Sequence, residues 1–258
     1  MPSVFTPRYF ELVFYRAYAG LRSESSRNYL SFAWWIIDPL ISMGVYYLVF
    51  GVMFGGGMPN FVAFLLIGQV IWQWFGFSVN HCMGSIFQAG GLMSQVYLPK
   101  QVFPLVVILM DTVKFVLVFL LLLVFLWSYG LPPTQHYLAL PALLLSQFLL
   151  NTAFGLFVAA LVPFIPDLRF LFEAALFLAF FLSGIFYSVT SMPEHYVHLF
   201  YLNPMVNLID SYRAVLMYHQ WPNWARLAIV AGVALLAILV MFLFIHKFDR
   251  RYPRMVES

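Results

Sequence analysis

The stretch QVFPLVVILMDTVKFVLVFLLLLVFLW, residues 101–127, contains two charged side chains and is otherwise almost wholly apolar. A helix needs about 20 mostly apolar residues to cross the roughly 30 Å hydrocarbon core of a bilayer, and this stretch is long enough. The strands of a membrane barrel would be shorter and would alternate in polarity, which this stretch does not. Because a helix satisfies its own backbone hydrogen bonds in lipid, the stretch predicts a membrane-spanning α-helix.

The whole chain has the composition that this stretch suggests. Of its 258 residues, 63% are hydrophobic and 9% are charged, whereas soluble domains are nearer one half and one quarter. We therefore predict an all-α integral membrane protein with six transmembrane helices, residues 29–258, preceded by an N-terminal segment, residues 1–28. The predicted spans are 29–54, 61–83, 101–127, 138–162, 168–187 and 225–246.

The basic residues predict the orientation of these spans. Six spans place both termini on one side, and ten of the 13 Lys and Arg residues lie in the two terminal segments and the loops on that same side. The positive-inside rule therefore predicts that both termini are cytoplasmic. The net charge of +3 is small for this length and gives no reason to expect a nucleic-acid partner. The single cysteine, Cys82, excludes an intrachain disulfide.

The N-terminal segment has the pattern of an amphipathic helix. Within residues 4–22 apolar side chains recur at helical spacing, and Arg8, Glu11 and Arg16 lie between them. This pattern favours a helix lying in the cytoplasmic interface of the membrane; a plain pre-membrane helix is the alternative. The predicted apolar face consists of Phe10, Val13, Phe14 and Ala17.

The loop between the second and third spans also mixes apolar and polar residues. Residues 84–98 combine bulky apolar side chains with glycines and polar groups, and Pro99 follows them. We predict a short amphipathic helix at the cytoplasmic face, which either docks a soluble partner or packs against its own bundle.

Polar residues inside the spans are costly in lipid and need partners. Gln69, Gln73 and Asn80 share one face of the second span, and Gln147 and Asn151 share one face of the fourth. Hydrogen bonding between helices is one interpretation, and a hydrated pathway with aromatic faces is the other. The candidate channel-lining residues are Gln69, Trp72, Gln73, Phe77, Asn80, Phe186 and Tyr187.

Two charges lie well inside the third span. Asp111 and Lys114 are three residues apart, so they can partly neutralise each other. Ionisable groups within a membrane are also candidates for function. We favour a structural ion pair.

The sequence lacks the motifs of the common enzyme classes. It contains no phosphate-binding loop of the G-x-x-x-x-G-K-[ST] type, no H-E-x-x-H and no G-x-S-x-G. His195 and His198 lie beside Glu194, but no third or fourth ligand is in view, so we predict no metal site. These observations favour a conduit without a cofactor of its own over an enzyme.

The stretch from Ile185 to Met217 is oily but broken by prolines and polar groups. Pro204 disfavours a helical conformation at Asn203, so we predict two short helices, residues 195–202 and 205–217, separated at this point. Backbone that does not span the bilayer is tolerated at membrane depth where protein buries it or where it lines a cavity. We predict re-entrant gate helices at the outer mouth, about residues 193–218, with Pro193, Asn203 and Pro204 as gate residues; an anchor lying on the outer leaflet is the alternative.

Four stretches resemble one family in their order along the chain. They are SRNYLSFAWWIIDPLISMGVYYLVFGVMFG (26–55), GSIFQAGGLMSQVYLPKQVFPL (84–105), PDLRFLFEAALFLAFFLSGIFYSVTSMPE (166–194) and YLNPMVNLIDSYRAVLM (201–217). The second includes a V-Y-x-P-[KR] turn at residues 96–100. This ordered set resembles the membrane subunits of ABC-2-type exporters, specifically the O-antigen and capsular polysaccharide permeases.

The resemblance implies a transport complex in the bacterial inner membrane. The chain would pair with a second copy of itself and with two cytoplasmic ATPase subunits, which would bind ATP and Mg²⁺ on their own chains. The cargo would be a lipid-linked polysaccharide. The loop helix at 84–98 would be the coupling helix that docks into the ATPase, with Phe87, Leu92, Met93, Val96 and Tyr97 as contact residues.

Three other interpretations of the sequence remain open. An ABC-2 exporter of drugs or lipids would share the architecture. A membrane enzyme acting on polyprenyl-linked glycans would need charged residues gathered on one face, and a structural scaffold would fit poorly with charges inside a span. The charged residues available on the outer side for an enzyme are Glu194, Asp210, Arg213 and Arg226.

Overall fold

The protein is a bundle of α-helices, here described from a computed structural model. The structure describes residues 7–27, 37, 40–42, 44–45, 47–53, 60–93, 97–189, 193–249, 251–252 and 255. Across these residues there is no β-strand. The helices are α1 (Pro7–Arg27), α2 (Phe61–Gln88), α3 (Gly90–Met93), α4 (Val102–Ser128), α5 (Leu140–Leu161), α6 (Leu168–Phe181), α7 (Glu194–Phe200), α8 (Pro204–Leu216) and α9 (Trp224–Phe248), with a π-helical segment at Tyr47–Met53 and a 3₁₀ turn at Gln135–Ala139 that leads into α5.

The helical membrane fold predicted from composition is confirmed, and four of the predicted spans correspond to long helices. In the described part of the chain, α2, α4, α9 and the combined segment Gln135–Leu161 are long and apolar enough to cross a membrane. Of the first predicted span, 29–54, half of the residues lie outside the described part of the chain, and the described part includes the π-helical segment Tyr47–Met53. The fifth, 168–187, corresponds to the 14-residue helix α6, which is about 21 Å long and shorter than the bilayer core.

The core of the bundle is formed by α2, α4 and α5, with α9 packed along α5. Most of α2 is buried, including Ile67, Ile71 and Ile86, whereas most of α9 is exposed on the side away from α5. α8 lies across one end of the bundle in contact with α2, α5 and α9. The central position of α2 lets it contact groups at both ends of the molecule.

α1 is a helix as predicted, and its buried face includes Val13 and Ala17 of the predicted apolar face but not Phe14. Tyr9, Val13 and Ala17, spaced four residues apart, are buried, and Tyr9 and Val13 pack with Val102 at the start of α4. Phe14, assigned to the apolar face from the sequence, is 62% exposed. The buried residues lie at positions i, i+4 and i+8, on the side of α1 that meets α4. Hydrophobicity alone did not distinguish this side of the helix from the adjacent side that carries Phe14.

α6 ends early because the chain turns after Phe181. Residues 182–184 form turns, and Gly184 has a φ of +69°, which residues with a side chain rarely adopt. None of the residues of α6 is buried. The exposed large side chains on and just after α6 are Phe170, Leu171, Phe177, Leu178, Phe181 and Leu182.

The boundary between α2 and the loop that follows it differs from the one predicted from the sequence. Residues 84–88, expected to open a separate loop helix, continue α2 to Gln88. A turn at Ala89 and the single helical turn α3 follow, and residues 97–99 belong to no helix or strand. α2 is therefore a continuous helix of 28 residues.

Candidate functional site

The predicted break at Asn203 and Pro204 is present between two short helices. α7 ends at Phe200 and α8 begins at Pro204. The Asn203 side chain accepts a hydrogen bond from the Met205 amide at 3.0 Å and donates to Ser183 Oγ at 3.0 Å. Asn203 thus caps α8 and also joins the break to the turn after α6.

α8 is held in place by a buried arginine. Arg213, 1% exposed, donates to the Phe64 carbonyl from Nη2 at 3.0 Å and from Nε at 3.2 Å. It also donates to the carbonyls of Gly184 at 2.8 Å and Ile185 at 2.9 Å. The nearest carboxylate oxygen, on Asp210, is 4.0 Å away. One guanidinium therefore joins α8 to the first turn of α2 and to the end of the α6 segment.

The arginine fits because the adjoining helix leaves room for it. Its Cζ lies 3.3 Å from the centroid of the Phe64 ring. One turn further along α2, a Cβ added to Gly68 would lie 2.7 Å from Arg213 Nη2. Glycine at position 68 therefore lets the backbone of α2 approach the guanidinium closely.

At the opposite end of the bundle, an aspartate joins the loop after α3 to the end of α9. Asp249 accepts a hydrogen bond from the Tyr97 hydroxyl at 2.7 Å and another from the Lys100 amide at 3.1 Å. The Lys100 ammonium lies 3.8 Å from the same carboxylate, and both side chains are buried. Asp249 therefore fixes the segment 97–100 to the C-terminal end of α9.

Two further contacts strengthen this end of the molecule. Gln101 Nε2 donates to the Phe242 carbonyl at 3.4 Å. The Tyr252 hydroxyl, just beyond α9, donates to the Ala160 carbonyl near the end of α5 at 3.1 Å. Burial raises the pKa of the Tyr252 phenol, so it remains a neutral donor. The ends of α5 and α9 and the start of α4 thus form one connected unit.

The residues predicted to contact an ATPase differ in their accessibility. Phe87 and Leu92 are partly buried against the core, and Met93 is 9% exposed. Tyr97 is 63% exposed, and Val96 lies outside the described residues. Of the four that the structure describes, Tyr97 offers the most accessible side chain.

The intramembrane charges belong to a network across three helices. Lys114 Nζ lies 2.7 Å from Glu24 Oε2 on α1 and 3.9 Å from Asp111 Oδ1. Asp111, 5% exposed, also lies 2.9 Å from Nδ1 of His81 on α2. The predicted pair therefore exists, but its shorter contacts are to residues on other helices.

The amide face of α5 forms hydrogen bonds between helices. Gln147 Nε2 donates to the Ile71 carbonyl on α2 at 2.8 Å. Asn151, oriented to satisfy both atoms of its amide, accepts from Trp74 Nε1 at 3.2 Å and donates to the Gln147 carbonyl. These two amides are used for helix packing.

The candidate channel-lining residues on α2 fall into two groups. Phe77 and Asn80 are exposed, and Gln73 is half-buried. Trp72, 7% exposed, packs its ring against Phe180 of α6. For Gln69, the side-chain oxygen is buried and has no hydrogen-bond partner among the described residues.

Phe186 and Tyr187 lie beyond the turn that ends α6. Phe186 packs with the rings of Phe180 and Phe181. The Tyr187 hydroxyl donates to the Phe181 carbonyl at 2.8 Å. Both side chains are half-buried, so they help to fold the segment 182–187 back onto α6.

The charged residues considered for a membrane enzyme mostly have structural contacts. The Tyr201 hydroxyl donates to Asp210 Oδ2 at 2.6 Å, and the Arg226 guanidinium lies 3.9 Å over the Tyr201 ring. All four short hydrogen bonds of Arg213 go to backbone carbonyls. Glu194 belongs to α7, and its side chain lies outside the description.

Sequence reasoning missed several of these connecting residues. Asp249 lies among basic residues of the tail, where it resembles part of a solvated run. Glu24 and His81 carry no local signal that points to span three. The position of Arg213 in the apolar stretch before α9 did indicate that it needs partners, since a buried guanidinium must be hydrogen-bonded. Its acceptors could not be identified from the sequence, because they are backbone atoms far away along the chain.

Known proteins match this chain over most of its length. The family description "ABC-2 type transporter" matches residues 22–217. An O-antigen export system permease protein RfbA from Myxococcus xanthus is 30% identical over 240 residues, covering 92% of this chain and 91% of that protein. An RfbA from Klebsiella pneumoniae is 23% identical over 96% of this chain and 95% of its own length. The polysialic acid transport protein KpsM of Escherichia coli is 22% identical over 92% of both chains.

Proposed function

The chain belongs to the ABC-2 type transporter family, and from this premise we propose that it is the membrane permease subunit of an ATP-driven exporter of O-antigen or capsular polysaccharide. The observation that supports this proposal most strongly is the similarity, over most of the chain, to permeases that export O-antigen; one of them is 30% identical over 92% of the chain. The predicted function and the resemblance from which it was drawn are thereby confirmed.

We propose a lipid-linked form of the polysaccharide as cargo, moved across the bacterial inner membrane. The complete fold would have six spans, with both termini in the cytoplasm. Two features support this: the excess of Lys and Arg in the terminal segments, and the long apolar run at 29–54. α6 and the packed segment 182–187 after it would together provide the fifth crossing.

ATP hydrolysis would occur on two separate subunits that dock at the cytoplasmic loop after α2. Exposed Tyr97 would form part of that contact. Because the Tyr97 hydroxyl and the Lys100 amide both bind Asp249, a displacement of this loop would pull directly on the end of α9. Met93 would support the loop from beneath, since its side chain is buried.

A second copy of the chain would pack against α6. Several apolar side chains of α6, including Phe170 and Phe177, are more than half exposed, and such a face gains from a partner with matching shape. The cargo path would run between the two copies, beside the exposed Phe77 and Asn80 of α2. Amide and aromatic side chains there would suit hydroxyl-rich sugars.

The outer end of the path would be gated by α7 and α8. The junction at Asn203 and Pro204 lies between two short rigid helices, and the Arg213 anchor ties α8 to both α2 and the α6 segment. A rearrangement at this end would therefore move α8 together with the turn after α6.

The test is co-purification of the tagged chain in mild detergent from cells expressing its native gene cluster. We expect a stoichiometric nucleotide-binding partner, identified by mass spectrometry, with ATPase activity in the eluate. Lipid-linked polysaccharide should accumulate on the inner side of the membrane when the chain is deleted. A pure preparation without any ATPase, combined with unchanged polysaccharide export in the deletion strain, would overturn the proposal.

A further inference from the structure

A groove runs along the bundle where α5, α9 and the junction of α7 and α8 meet. It has a volume of about 420 Å³. Side chains from α5 and α9 make its walls almost wholly apolar, and the α7–α8 junction closes one side with Leu202, Pro204 and Asn207. The apolar wall residues used in the argument are Leu150, Phe154, Ile229, Val230, Val233 and Ala237.

The side chains around the groove indicate that it begins at the level of the membrane surface and continues into the hydrocarbon. Trp221 and Trp224, close to the start of α9, are both about half exposed, and their ring centroids are 6.2 Å apart. Tryptophan is enriched at the boundary between lipid headgroups and hydrocarbon. Arg226 lies in the first turn of α9, at that boundary, and the wall residues 229–237 occupy the turns below it.

A positive charge lines the groove at the first turn of α9. Arg226 lines the groove, and its guanidinium is held over the Tyr201 ring. The Tyr201 hydroxyl donates to Asp210, and the Arg226 side chain is also hydrogen-bonded to Tyr201. Within the described chain the ion pairs with carboxylates do not include Arg226. A cation in the first turn of a helix is opposed by the helix dipole, so an anion at this point would relieve the unfavourable interaction.

We infer that this groove is a binding site for an anionic glycerophospholipid, with its phosphate on Arg226 and one acyl chain between α5 and α9. Arg226 at headgroup depth, above the apolar walls of the groove, complements such a lipid in charge and in shape. The groove is too small for a helix, which is about 10 Å across with its side chains. With the termini cytoplasmic, as the proposed function has it, the lipid belongs to the outer leaflet.

The bound lipid would also support the outer junction. Leu202 and Pro204 line the groove, and Asn207 donates to the carbonyls of Tyr201 and Asn203 at 2.8 and 3.1 Å. An acyl chain in the groove therefore packs against the junction between α7 and α8. Occupancy would stabilise the arrangement of the two helices that is seen here.

The test measures retention of phosphatidylglycerol by the full transporter complex. The complex is reconstituted in phosphatidylcholine nanodiscs with a minor fraction of phosphatidylglycerol, released into detergent, and analysed by native mass spectrometry. Arg226→Gln removes the charge, and Val233→Trp fills the groove from an exposed position. The matched controls are Arg169→Gln, an exposed arginine at the start of α6, and Leu243→Trp, an exposed leucine farther along α9.

We expect the wild-type chain and both controls to retain phosphatidylglycerol. Arg226→Gln should retain about fivefold less, the effect of one basic residue at a lipid headgroup, and Val233→Trp should also retain less because its ring occupies the place of the acyl chain. Equal retention in all variants would overturn the inference. So would retention of phosphatidylcholine that depends on Val233 but not on Arg226, or retention of a polyprenyl phosphate in place of phosphatidylglycerol. ATPase co-purification is measured in the same samples, so failure of the lipid site is separable from failure of the proposed function.

Discussion

At the scale of single residues, Arg213 shows how a charge can be buried without an acid beside it at close range. Its donors are satisfied by three backbone carbonyls, one on the first turn of α2 and two in the turn after α6. Hydrogen bonds from a charged donor are stronger than neutral ones. The residue therefore stabilises an irregular part of the chain rather than a charge on another side chain.

The close approach of Gly68 to Arg213 gives a testable prediction. Gly68→Ala should lower the free energy of unfolding by about 1–3 kcal/mol, because the new Cβ would overlap Nη2. Combined with Arg213→Gln, the same change should cost little, since the overlap is gone. The midpoint of thermal unfolding of the purified protein in detergent measures both effects.

Gly76→Ala is the matched control for this prediction. It adds a Cβ on the same helix at an ordinary contact distance of 3.5 Å from Trp72, and alanine is the better helix former by about 1 kcal/mol. It should leave stability unchanged or raise it. An equal loss for Gly68→Ala with and without Arg213 would show that the guanidinium does not set the requirement for glycine.

The residue scale also shows where the sequence was informative. The break at Asn203 and Pro204 was predictable because proline restricts the residue before it, a rule that acts within two positions. The contact between Lys114 and Glu24 was not, because it depends on how far α1 slides along α4. Sequence spacing within one helix predicted Asp111 as the partner, yet that distance is 3.9 Å and the one to Glu24 is 2.7 Å.

At the scale of elements, the segment 97–100 is attached to α9 more firmly than a surface loop would be. Tyr97→Phe removes one hydrogen bond to Asp249 and leaves the ring in place. We expect the interaction between this segment and α9 to be weakened by about 1 kcal/mol. Export should then drop several-fold, with little change in the ATPase rate of the complex. Export in cells and ATP hydrolysis by the purified complex are measured in parallel.

Tyr129→Phe provides the control for that substitution. Tyr129 lies at the far end of α4 and is 38% exposed, so loss of its hydroxyl should affect neither activity. If Tyr97→Phe lowers ATPase rate and export by the same factor, the tyrosine acts on assembly of the ATPase and not on transmission to α9.

Helix lengths were less predictable than helix positions. The sequence placed the end of the second span at residue 83, but α2 runs to Gln88 because no proline or positive-φ glycine interrupts it. It placed the end of the fifth span at residue 187, but the turn at 182–184 ends α6 earlier. Apolar content does not distinguish a helix from a packed irregular segment, since both are buried in protein or lipid.

At the scale of the whole molecule, the exposed face of α6 predicts the contact between two copies. Phe177→Cys should be cross-linked to its counterpart in a second copy by a short bis-thiol reagent in native membranes. The native Cys82 is fully buried, so it should not compete for the reagent. A doubled mass on a denaturing gel measures the product.

Leu243→Cys on α9 tests whether that product is specific. Leu243 is 63% exposed, almost the same as Phe177 at 64%, but it lies on a face that we expect to contact lipid. It should therefore give little cross-linked product. Equal yields at both positions would indicate random collisions and would remove the support for a dimer through α6.

The length and position of α2 have a mechanical consequence for the proposed transporter. Its 28 residues form a rod about 42 Å long, with the Arg213 anchor on its first turn and, attached to its last, the loop that we propose to dock the ATPase. A rigid rod that tilts through about 5° about its midpoint moves each of its ends by roughly 2 Å, which is enough to break the geometry of a hydrogen bond. A small push on the cytoplasmic end would therefore be sufficient to strain the carbonyl that Arg213 holds on the outer side, with no relay of intermediate side chains.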